Sequence, residues 1–192
     1  MNYCAMRTLI HQFDTPSSTQ NWHPINDGVM GGASISRLRF DLQGCAVFEG
    51  EVSLQNNGGF ASVRTPSLKL GGPGTRAYLL TAWGDGRTYK LNLRTDAGFD
   101  GVNYQASFMP AAGHWSQAVL PVAEFLATFR GRVVQAAPAL RPELVIQVGL
   151  MISDKQAGPF RLRVRSIAAI EYMSATAIEI NPGSPARPVP GR

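Results

Sequence analysis

Two glycine-rich segments carry polar side chains of the types that bind ligands and protein partners. Residues 26–34 hold an Asn-Asp pair and three glycines, and residues 56–64 lead from a glycine turn into Ser62 and Arg64. Glycine allows positive φ, and Asn and Asp bond neighbouring backbone groups in such loops. We therefore expect both segments to contact a ligand or partner at the rim of the fold. The alternative is a purely structural turn, in which Asp27 accepts backbone N–H groups.

A third turn, residues 84–87, adds a carboxylate and a guanidinium to the candidates. Arg87 could face Arg64 across a sheet, with Tyr89 or Tyr104 close by. Two such arginines could hold a carboxylate or a sugar hydroxyl, while the rings offer a flat apolar surface. The alternative is a surface salt bridge to an acidic neighbour, which contributes roughly 0–1 kcal/mol. The candidate ligand- or partner-binding residues are Trp22, Asn26, Asp27, Gly31, Gly32, Ser34, Phe60, Arg64, Asp85, Arg87 and Tyr104.

The sequence gives little support for catalysis. His11, His23 and His114 are isolated, and none falls at metal-ligand spacing. A triad could be drawn from Ser34, His23 and Asp27, but Gly-Gly-Ala-Ser is not the strained turn that presents a nucleophilic serine. We predict a non-catalytic protein without cofactor or metal; paired carboxylates for sugar hydrolysis remain an open alternative. A structural calcium ion is also left open, although no calcium-loop spacing is present, and its candidate ligands are Asp14, Asp27 and Glu171.

The charge balance favours an acidic partner. Lys and Arg number 18 against 13 Asp and Glu, which gives a net charge of +5, and most of the basic residues are arginines. Arginine binds planar carboxylates and phosphates well. We expect a protein partner, with an acidic surface as one option, and regard nucleic acid as a weaker alternative. The stripe Arg161, Arg163 and Arg165 could serve such docking, but a solvated strand face explains it more simply.

Tryptophan placement bears on a carbohydrate ligand, which is the alternative function. Aromatic rings stack on sugars when they are exposed, whereas a tryptophan in a β-sandwich more often lies in the core. Trp115 alternates with apolar neighbours, so we expect it to be buried. Trp22 lies beside the first glycine-rich segment and is the best candidate for an exposed role.

The chain shows no stretch of 18 or more apolar residues and no pattern typical of a secretion or mitochondrial leader. These observations predict a cytoplasmic protein without membrane insertion. Cys4 and Cys45 form neither a disulfide framework nor a metal-binding pattern. We therefore expect two free thiols.

Short alternating runs predict a fold built from strands. Gly and Pro number 20 and 13 of 192 residues, above the usual share of about 12%, and such turn formers separate many short strands. Residues 77–83 and 88–94 flank Gly84-Asp85-Gly86, which predicts a hairpin. Phe160, Leu162 and Val164 alternate with three arginines, which indicates one core face and one basic face. The only helix we expect is short, over Val122–Phe129. The remaining predicted strands cover residues 46–54, 104–108, 115–121 and 144–152.

About ten strand candidates and almost no helix predict an all-β jelly-roll sandwich of two antiparallel sheets. We expect one domain over residues 1–175. Residues 181–192 are rich in Pro and Gly and should form a disordered tail.

Several ordered landmarks resemble one known family. They begin with the two glycine-rich segments and continue through Gly84-Asp85-Gly86-Arg87 and Tyr104-Gln105-Ala106-Ser107-Phe108. They end with Trp115, with Phe129-Arg130-Gly131 and with the stretch from Gly149 to Phe160. Together they are similar to the complex I intermediate-associated protein 30 family, the domain of an assembly factor for NADH:ubiquinone oxidoreductase. The resemblance implies a galactose-binding-like jelly roll and a non-catalytic role in assembling a larger complex.

Overall fold

The computed structural model describes residues 3–67, 70, 72–98 and 101–174. These residues form two antiparallel sheets, which confirms the predicted all-β sandwich. The strands are β1 (Tyr3–Gln12), β2 (His23–Pro24), β3 (Ile35–Asp41), β4 (Cys45–Val52), β5 (Ala61–Arg64), β6 (Thr75–Trp83), β7 (Tyr89–Arg94), β8 (Asn103–Phe108), β9 (Trp115–Pro121), β10 (Leu126–Phe129), β11 (Arg132–Val133), β12 (Gln147–Ile152) and β13 (Gly158–Ser174). Short 3-10 helices lie at Pro16–Thr19, Asp27–Met30, Gln55–Asn57, Val122–Glu124 and Pro142–Leu144.

The six-stranded sheet has the order β3-β4-β13-β6-β9, and β1 also pairs with β13. The long strand β13 organises this sheet, because its first half pairs with β4 and its second half with β1, while β6 runs along its other edge. Leu162 and Val164 are fully buried, whereas Arg161 and Arg165 are exposed on the outer face. The predicted alternation of core and basic residues in this strand is confirmed.

The seven-stranded sheet has the order β11-β10-β8-β7-β12-β5-β2. Its inner face packs on the six-stranded sheet through aromatic and aliphatic side chains. The ring centroids of Phe48 and Phe160, both from the six-stranded sheet, lie 4.9 Å apart, and each lies 6.4 Å from that of Tyr89 in the other sheet. Burial of each such side chain contributes roughly 1.5–3 kcal/mol. This core fixes the positions of the outward-facing side chains on both sheets.

The hairpin predicted around Gly84-Asp85-Gly86 is wrong. Strand β6 pairs with β13 and β9, whereas β7 pairs with β12 and β8, so the turn crosses from one sheet to the other. Gly86 still adopts a positive φ of +88°. Both strands bury one face in the common core, and a local turn signal does not determine whether they pair with each other or pack face to face.

The helix predicted over Val122–Phe129 is also wrong. Only Val122–Glu124 is helical, and Leu126–Phe129 forms β10, which pairs with β8. The spacing of Phe125 and Phe129 suggested one helix face, but an unpaired edge of the sheet offers these residues backbone partners instead.

Within the described ranges, no helix is long and apolar enough to span a bilayer. Cys45 is a free, buried thiol. The predicted tail, residues 181–192, lies outside the described part of the chain, as does the side chain of Cys4.

Candidate functional site

The outer face of the seven-stranded sheet carries a groove of about 440 Å³. Five neighbouring strands, β5, β12, β7, β8 and β10, form its floor. The floor side chains, all on outward-facing positions, are Ser62, Arg64, Lys90, Asn92, Asn103, Gln105, Thr128 and Met151. The rim consists of Ile25, Asn57, Gly58, Gly59, Phe60, Gly101, Phe129, Arg130, Gly131, Ser153, Asp154 and Lys155. We call this surface the groove.

A glycine in the floor helps to make the groove concave. Gly149 of β12 lies opposite Arg64 on one side and Asn92 on the other. A Cβ atom there would approach the backbone oxygen of Val63 to 2.8 Å, so the close packing of strands favours glycine. The missing side chain leaves room for the Arg64 guanidinium, whose Nη2 reaches the Asn103 Oδ1 at 3.4 Å.

The amide side chains of the floor have poor hydrogen-bond partners. Asn92 Nδ2 and Gln105 Nε2 both donate to the Met151 sulfur, at 3.4 and 3.6 Å. A thioether is only a weak acceptor. The buried Asn92 Oδ1 and Ser153 Oγ have no hydrogen-bond partner among the described residues. Because buried polar atoms are normally paired, the floor has hydrogen-bonding capacity that a ligand could use.

The groove is electrostatically positive. Its lining holds four cationic side chains and the carboxylate of Asp154, which pairs with Lys90 at 2.8 Å. Burial, with a smaller contribution from the nearby Arg94 charge, lowers the pKa of Arg64 to about 10. Arg94 itself is buried and pairs with Asp96 at 2.7 Å. The guanidinium of Arg64 therefore remains charged at neutral pH, in a site that water solvates only partly.

Asp27, a candidate contact residue, is fully buried. Its carboxylate accepts four hydrogen bonds. The Ser34 N–H and hydroxyl donate at 2.9 and 2.5 Å, and the Gly59 and Phe60 N–H groups donate at 2.7 and 3.3 Å. Ser34 leads into β3 of the six-stranded sheet, and Phe60 leads into β5 of the seven-stranded sheet. The carboxylate therefore connects the two sheets at one edge. We predicted that Asp27 contacts a partner, and the structure instead gives it a structural role.

The environment of Asp27 favours its ionised form. Burial raises the pKa, but the hydrogen bonds from Ser34, Gly59 and Phe60 outweigh it and hold the pKa of Asp27 below its ordinary value. All donors come from this chain, so the carboxylate has little capacity left for calcium. The Ser34 hydroxyl is bonded directly to this carboxylate, which argues against the triad drawn with His23.

The rest of the first glycine-rich loop is structural for the same reason. Asn26 Oδ1 accepts from the Ser36 hydroxyl at 2.7 Å and from the Ser62 N–H at 3.0 Å, so it also joins β3 to β5. The backbone oxygen of Gly31 accepts from Asn56 Nδ2 at 3.1 Å. A Cβ atom on Gly32 would lie 2.4 Å from the Asp27 Cγ. Residues 26–34 are thus fixed mainly by contacts within the chain.

The structure does not bring the predicted site residues together. Only Phe60 and Arg64 of the candidates line the groove. Asp85 accepts hydrogen bonds from the Tyr89 hydroxyl and the Arg161 N–H, at 2.8 and 2.7 Å. Arg87 donates to backbone oxygens of Gln156 and Ala157 rather than facing Arg64. The turn at residues 84–87 therefore stabilises the junction with β13.

Two buried aromatic candidates are corrected to core residues. Tyr104 is 4% exposed, and its hydroxyl donates to the Pro138 oxygen at 3.1 Å. Trp22 is 7% exposed and packs on Phe13 and His11, with centroids 5.7 and 5.2 Å away. The expectation that Trp22 is exposed is wrong, because it packs at the end of β1 rather than along the loop.

Trp115, which we expected in the core, is half-buried on the outer face of the six-stranded sheet. It contacts Trp83 at 6.0 Å, and the Arg165 guanidinium lies 4.0 Å from its ring centroid. Arg163 lies over Trp83 at 5.6 Å. Side chains alternate along β9, and because Leu120 faces the core and Ala118 packs against it, Trp115 falls on the outward-facing positions. Two of the three arginines of the stripe, Arg163 and Arg165, thus already contact aromatic rings.

Glu49 is the electrostatic centre of that outer face. Only 8% of it is exposed, and it pairs with Arg37, Arg39 and Arg161 at 2.7 to 2.9 Å. A second, shallower depression of about 710 Å³ lies around this cluster. Its charged groups already satisfy one another, so we prefer the groove as the candidate site.

Glu49 should make stability depend on pH. Burial opposes ionisation, but Arg39, Arg37 and Arg161 lower the pKa of Glu49 to about 2. The stabilisation is then fully present above the ordinary carboxyl pKa near 4.5 and is lost as the pH falls towards 2. We expect Glu49→Gln to lower the free energy of unfolding by about 1–3 kcal/mol at pH 7, because it removes the ion pairs with the arginines. The loss is moderate, since water solvates the exposed arginines and weakens these pairs.

Urea unfolding at pH 7 and near pH 2 measures this effect. The deficit of the Glu49→Gln variant should shrink at the acid pH. Glu51→Gln is the matched control, since Glu51 is exposed on the same strand, and it should change stability by less than about 0.5 kcal/mol. Equal deficits at both pH values would contradict the assignment.

Sequence reasoning missed most of the groove. Asn92 and Gln105 lie on outward-facing positions of alternating segments, as a period of two indicates, whereas Met151 lies in a nearly continuous apolar run that gives no such signal. The order of the strands in the sheet places these residues on one surface, and the sequence pattern does not determine that order. Among the described residues, no group of three or more His, Cys, Asp or Glu side chains could hold a metal ion.

Comparison with solved structures supports the architecture. A family 11 carbohydrate-binding module of a Clostridium thermocellum cellulase matches with a TM-score of 0.65 and 13% identity, over 86% of this chain and 95% of that one. The same module in complex with a β-1,3-1,4-linked tetrasaccharide matches with a TM-score of 0.64 and 11% identity, with the same coverage. At this identity the likeness shows the fold alone. It confirms the galactose-binding-like jelly roll that the family resemblance implied.

Comparison with protein sequences identifies the family. A Drosophila melanogaster protein named complex I intermediate-associated protein 30, mitochondrial, is 25% identical over 186 residues, which cover 85% of this chain and 62% of the relative. The Neurospora crassa protein of that name is 24% identical over 211 residues, 88% of this chain and 76% of the relative. The chain thus spans less than two thirds of the Drosophila protein.

The names of these relatives contradict the predicted cytoplasmic location, since both are described as mitochondrial. An absent leader pattern was a weak basis for that prediction. The family model for complex I intermediate-associated protein 30 matches residues 11–164, which include every strand from β2 to β12. The chain therefore belongs to the complex I intermediate-associated protein 30 family.

Proposed function

We propose that this chain is a non-catalytic binding module that assists assembly of a multi-subunit complex of the respiratory complex I kind. The observation that carries the proposal is the family match over residues 11–164. The relatives are named for their association with complex I intermediates, and a mitochondrial setting is part of the proposal. A module of this kind works by presenting a surface rather than by forming or breaking bonds.

The groove is the surface we assign to the partner. Its shape is fixed by five hydrogen-bonded strands, so binding would cost little ordering of the backbone. Its lining also has buried polar atoms without a hydrogen-bond partner among the described residues, Asn92 Oδ1 in the floor and Ser153 Oγ at the rim. By contrast, Asn26 and Asp27 of the first glycine-rich loop already accept hydrogen bonds from groups within the chain. These features make the groove a better contact surface than the loop.

Filling the groove should abolish assembly activity. Gln105 is half-buried in the floor, and its side-chain amide donates to the weak acceptor Met151 Sδ. In Gln105→Trp, the large ring would occupy the space of the partner while the core stays unchanged. We expect about a ten-fold or greater loss of partner affinity. Cells that lack the native chain and express this variant should then accumulate assembly intermediates, which native gels can separate.

Gln117→Trp provides the matched control. Gln117 is exposed on β9, at the edge of the other sheet, and the same substitution there leaves the groove open. This variant should support assembly as well as the original chain does. If Gln105→Trp also supported full assembly while being expressed normally, the groove would not be the contact surface.

A carbohydrate ligand is the second candidate. It is favoured by Phe60 and Phe129 at the rim of the groove, together with the amide side chains of the floor. Aromatic rings beside amides form the usual environment of a bound sugar. A glycan array with the intact chain tests this candidate. Glycan binding by the original chain that is lost in Gln105→Trp would support the carbohydrate candidate. No binding at about 1 mM glycan would exclude that candidate.

A further inference from the structure

We propose that Arg64 is a receptor for a carboxylate, and that the groove takes an extended acidic segment of the partner protein. This inference rests on the proposed function and specifies the chemistry of its partner. It concerns one guanidinium in the floor of the groove and the polar atoms around it.

Arg64 has weaker acceptors than the arginines that surround Glu49 and Asp41 on the six-stranded sheet. Arg37, Arg39, Arg161 and Arg163 each lie within 4.0 Å of a carboxylate oxygen. For Arg64, no carboxylate lies within that distance in the described ranges, and its hydrogen bond goes to a neutral amide oxygen of Asn103 at 3.4 Å. A partly buried charge with so weak a partner is costly. An incoming anion would remove that cost.

The surroundings favour a carboxylate as that anion. A guanidinium presents two parallel N–H donors that match the two oxygens of a carboxylate. Lys90, the other cation of the floor, is already paired with Asp154 at 2.8 Å. One available guanidinium flanked by amides suits a singly charged, planar group.

The orphaned acceptor beside Arg64 indicates that the ligand also donates hydrogen bonds. Asn92 is 5% exposed, lies in the floor of the groove and has no partner for its Oδ1 in the described part of the chain. This oxygen is itself buried, so the Asn92 amide would have to rotate towards the groove before a backbone N–H group of a peptide could bond to it. The side chains of that peptide would remain for Arg64. A segment that offers both groups is an acidic peptide.

The dimensions fit an extended segment. The floor spans five strands, and strands lie about 4.8 Å apart, so the groove crosses about 19 Å. About six extended residues cover that distance, at 3.3 Å each. Lys155 and Arg130 on the rim add positive charge along the path. An extended segment can therefore contact the floor and both rim cations.

Blocked peptides of defined charge test this proposal. The probes are eight-residue peptides that alternate Glu with Ser or Gln with Ser, acetylated and amidated at their ends. The full chain is observed by NMR while each peptide is added. The Glu peptide should shift the NMR signals of the Arg64 Nε–H group and of the Asn92 side chain. Added salt should weaken the binding of this peptide. The Gln peptide should bind about ten-fold more weakly or not at all.

Variants at Arg64 and at a remote arginine complete the test. Arg64→Gln should lose about ten-fold or more of the affinity for the Glu peptide, whereas Arg64→Lys should recover only part of it, because it keeps the charge without the paired donors. Arg76→Gln is the matched control, since Arg76 is exposed on the six-stranded sheet, and it should bind normally. A Gln peptide with a free carboxyl terminus tests a terminal carboxylate as the source.

Binding of the free-terminus peptide alone, dependent on Arg64, would overturn the acidic segment in favour of a terminal carboxylate. Equal binding of the blocked Glu and Gln peptides would overturn the proposal, as would no binding at about 1 mM. Groove shifts produced by a β-glucan oligosaccharide but not by acidic peptides would also overturn it in favour of a sugar. None of these results would remove the assembly role, which the Gln105→Trp experiment tests separately.

Discussion

Replacement of Asp27 by alanine is expected to lower the free energy of unfolding by about 3–5 kcal/mol. The substitution leaves the Ser34, Gly59 and Phe60 N–H groups and the Ser34 hydroxyl without their shared acceptor. Each buried donor left unpaired costs about 1–3 kcal/mol, and partial relaxation keeps the total below the sum. Urea unfolding followed by circular dichroism at pH 7 measures the loss.

The control and the pH dependence separate this role from a general loss of charge. Asp14 is exposed, so Asp14→Ala should change stability by less than about 0.5 kcal/mol. Because the pKa of Asp27 is lowered in the fold, its stabilisation is present above the ordinary carboxyl value of 3.8 and is lost as the pH falls further. The deficit of Asp27→Ala should therefore shrink in acid. A variant as stable as Asp14→Ala would contradict the structural role.

Gly32→Ala should be the second most damaging change, with a loss of about 2–3 kcal/mol. The φ angle of Gly32 does not itself require glycine, but an added Cβ would lie 2.4 Å from the Cγ and Oδ1 atoms of Asp27. Accommodation would push the carboxylate away from its donors. Thermal or urea unfolding of the purified variant would measure this loss directly.

Gly28→Ala is the control for this prediction, because it lies in the same loop. A Cβ on Gly28 would meet no atom within 4 Å, and its φ is not in the positive region. This variant should change stability by less than about 0.5 kcal/mol. If the two variants were equally stable, the glycines of the loop would serve flexibility or contact rather than packing against Asp27.

The sequence was sufficient for the strand pattern but not for all of the strand pairing. Alternation in the segment from Phe160 to Arg165 correctly separated core from surface, because a period of two depends only on the strand itself. The Gly84-Asp85-Gly86 turn was misjudged, because it joins strands of different sheets. Which sheet a strand enters depends on partners far away in the chain, such as β12 and β13.

The candidate site was also only partly predicted, because it depends on contacts between distant parts of the chain. The sequence marked residues 26–34 as an unusual loop, but the donors to Asp27 include residues 59 and 60, more than 30 positions further on. Burial of a carboxylate by such distant partners has no local signal. The groove residues Asn92 and Gln105 lie on outward faces, as the period of two in their strands indicates, yet outward positions on either sheet have the same pattern. Only the strand order selects the concave face.

Site-specific photo-crosslinking tests the central claim, that the groove binds the assembly partner. A photoreactive amino acid is placed at Gln105 in the groove, or at Gln117 on the opposite sheet, in chains expressed in their own cells. We predict crosslinks from position 105 to a subunit or assembly intermediate of a complex I-like assembly, and none of these from position 117. Crosslinks to that partner from position 117 alone would contradict the account.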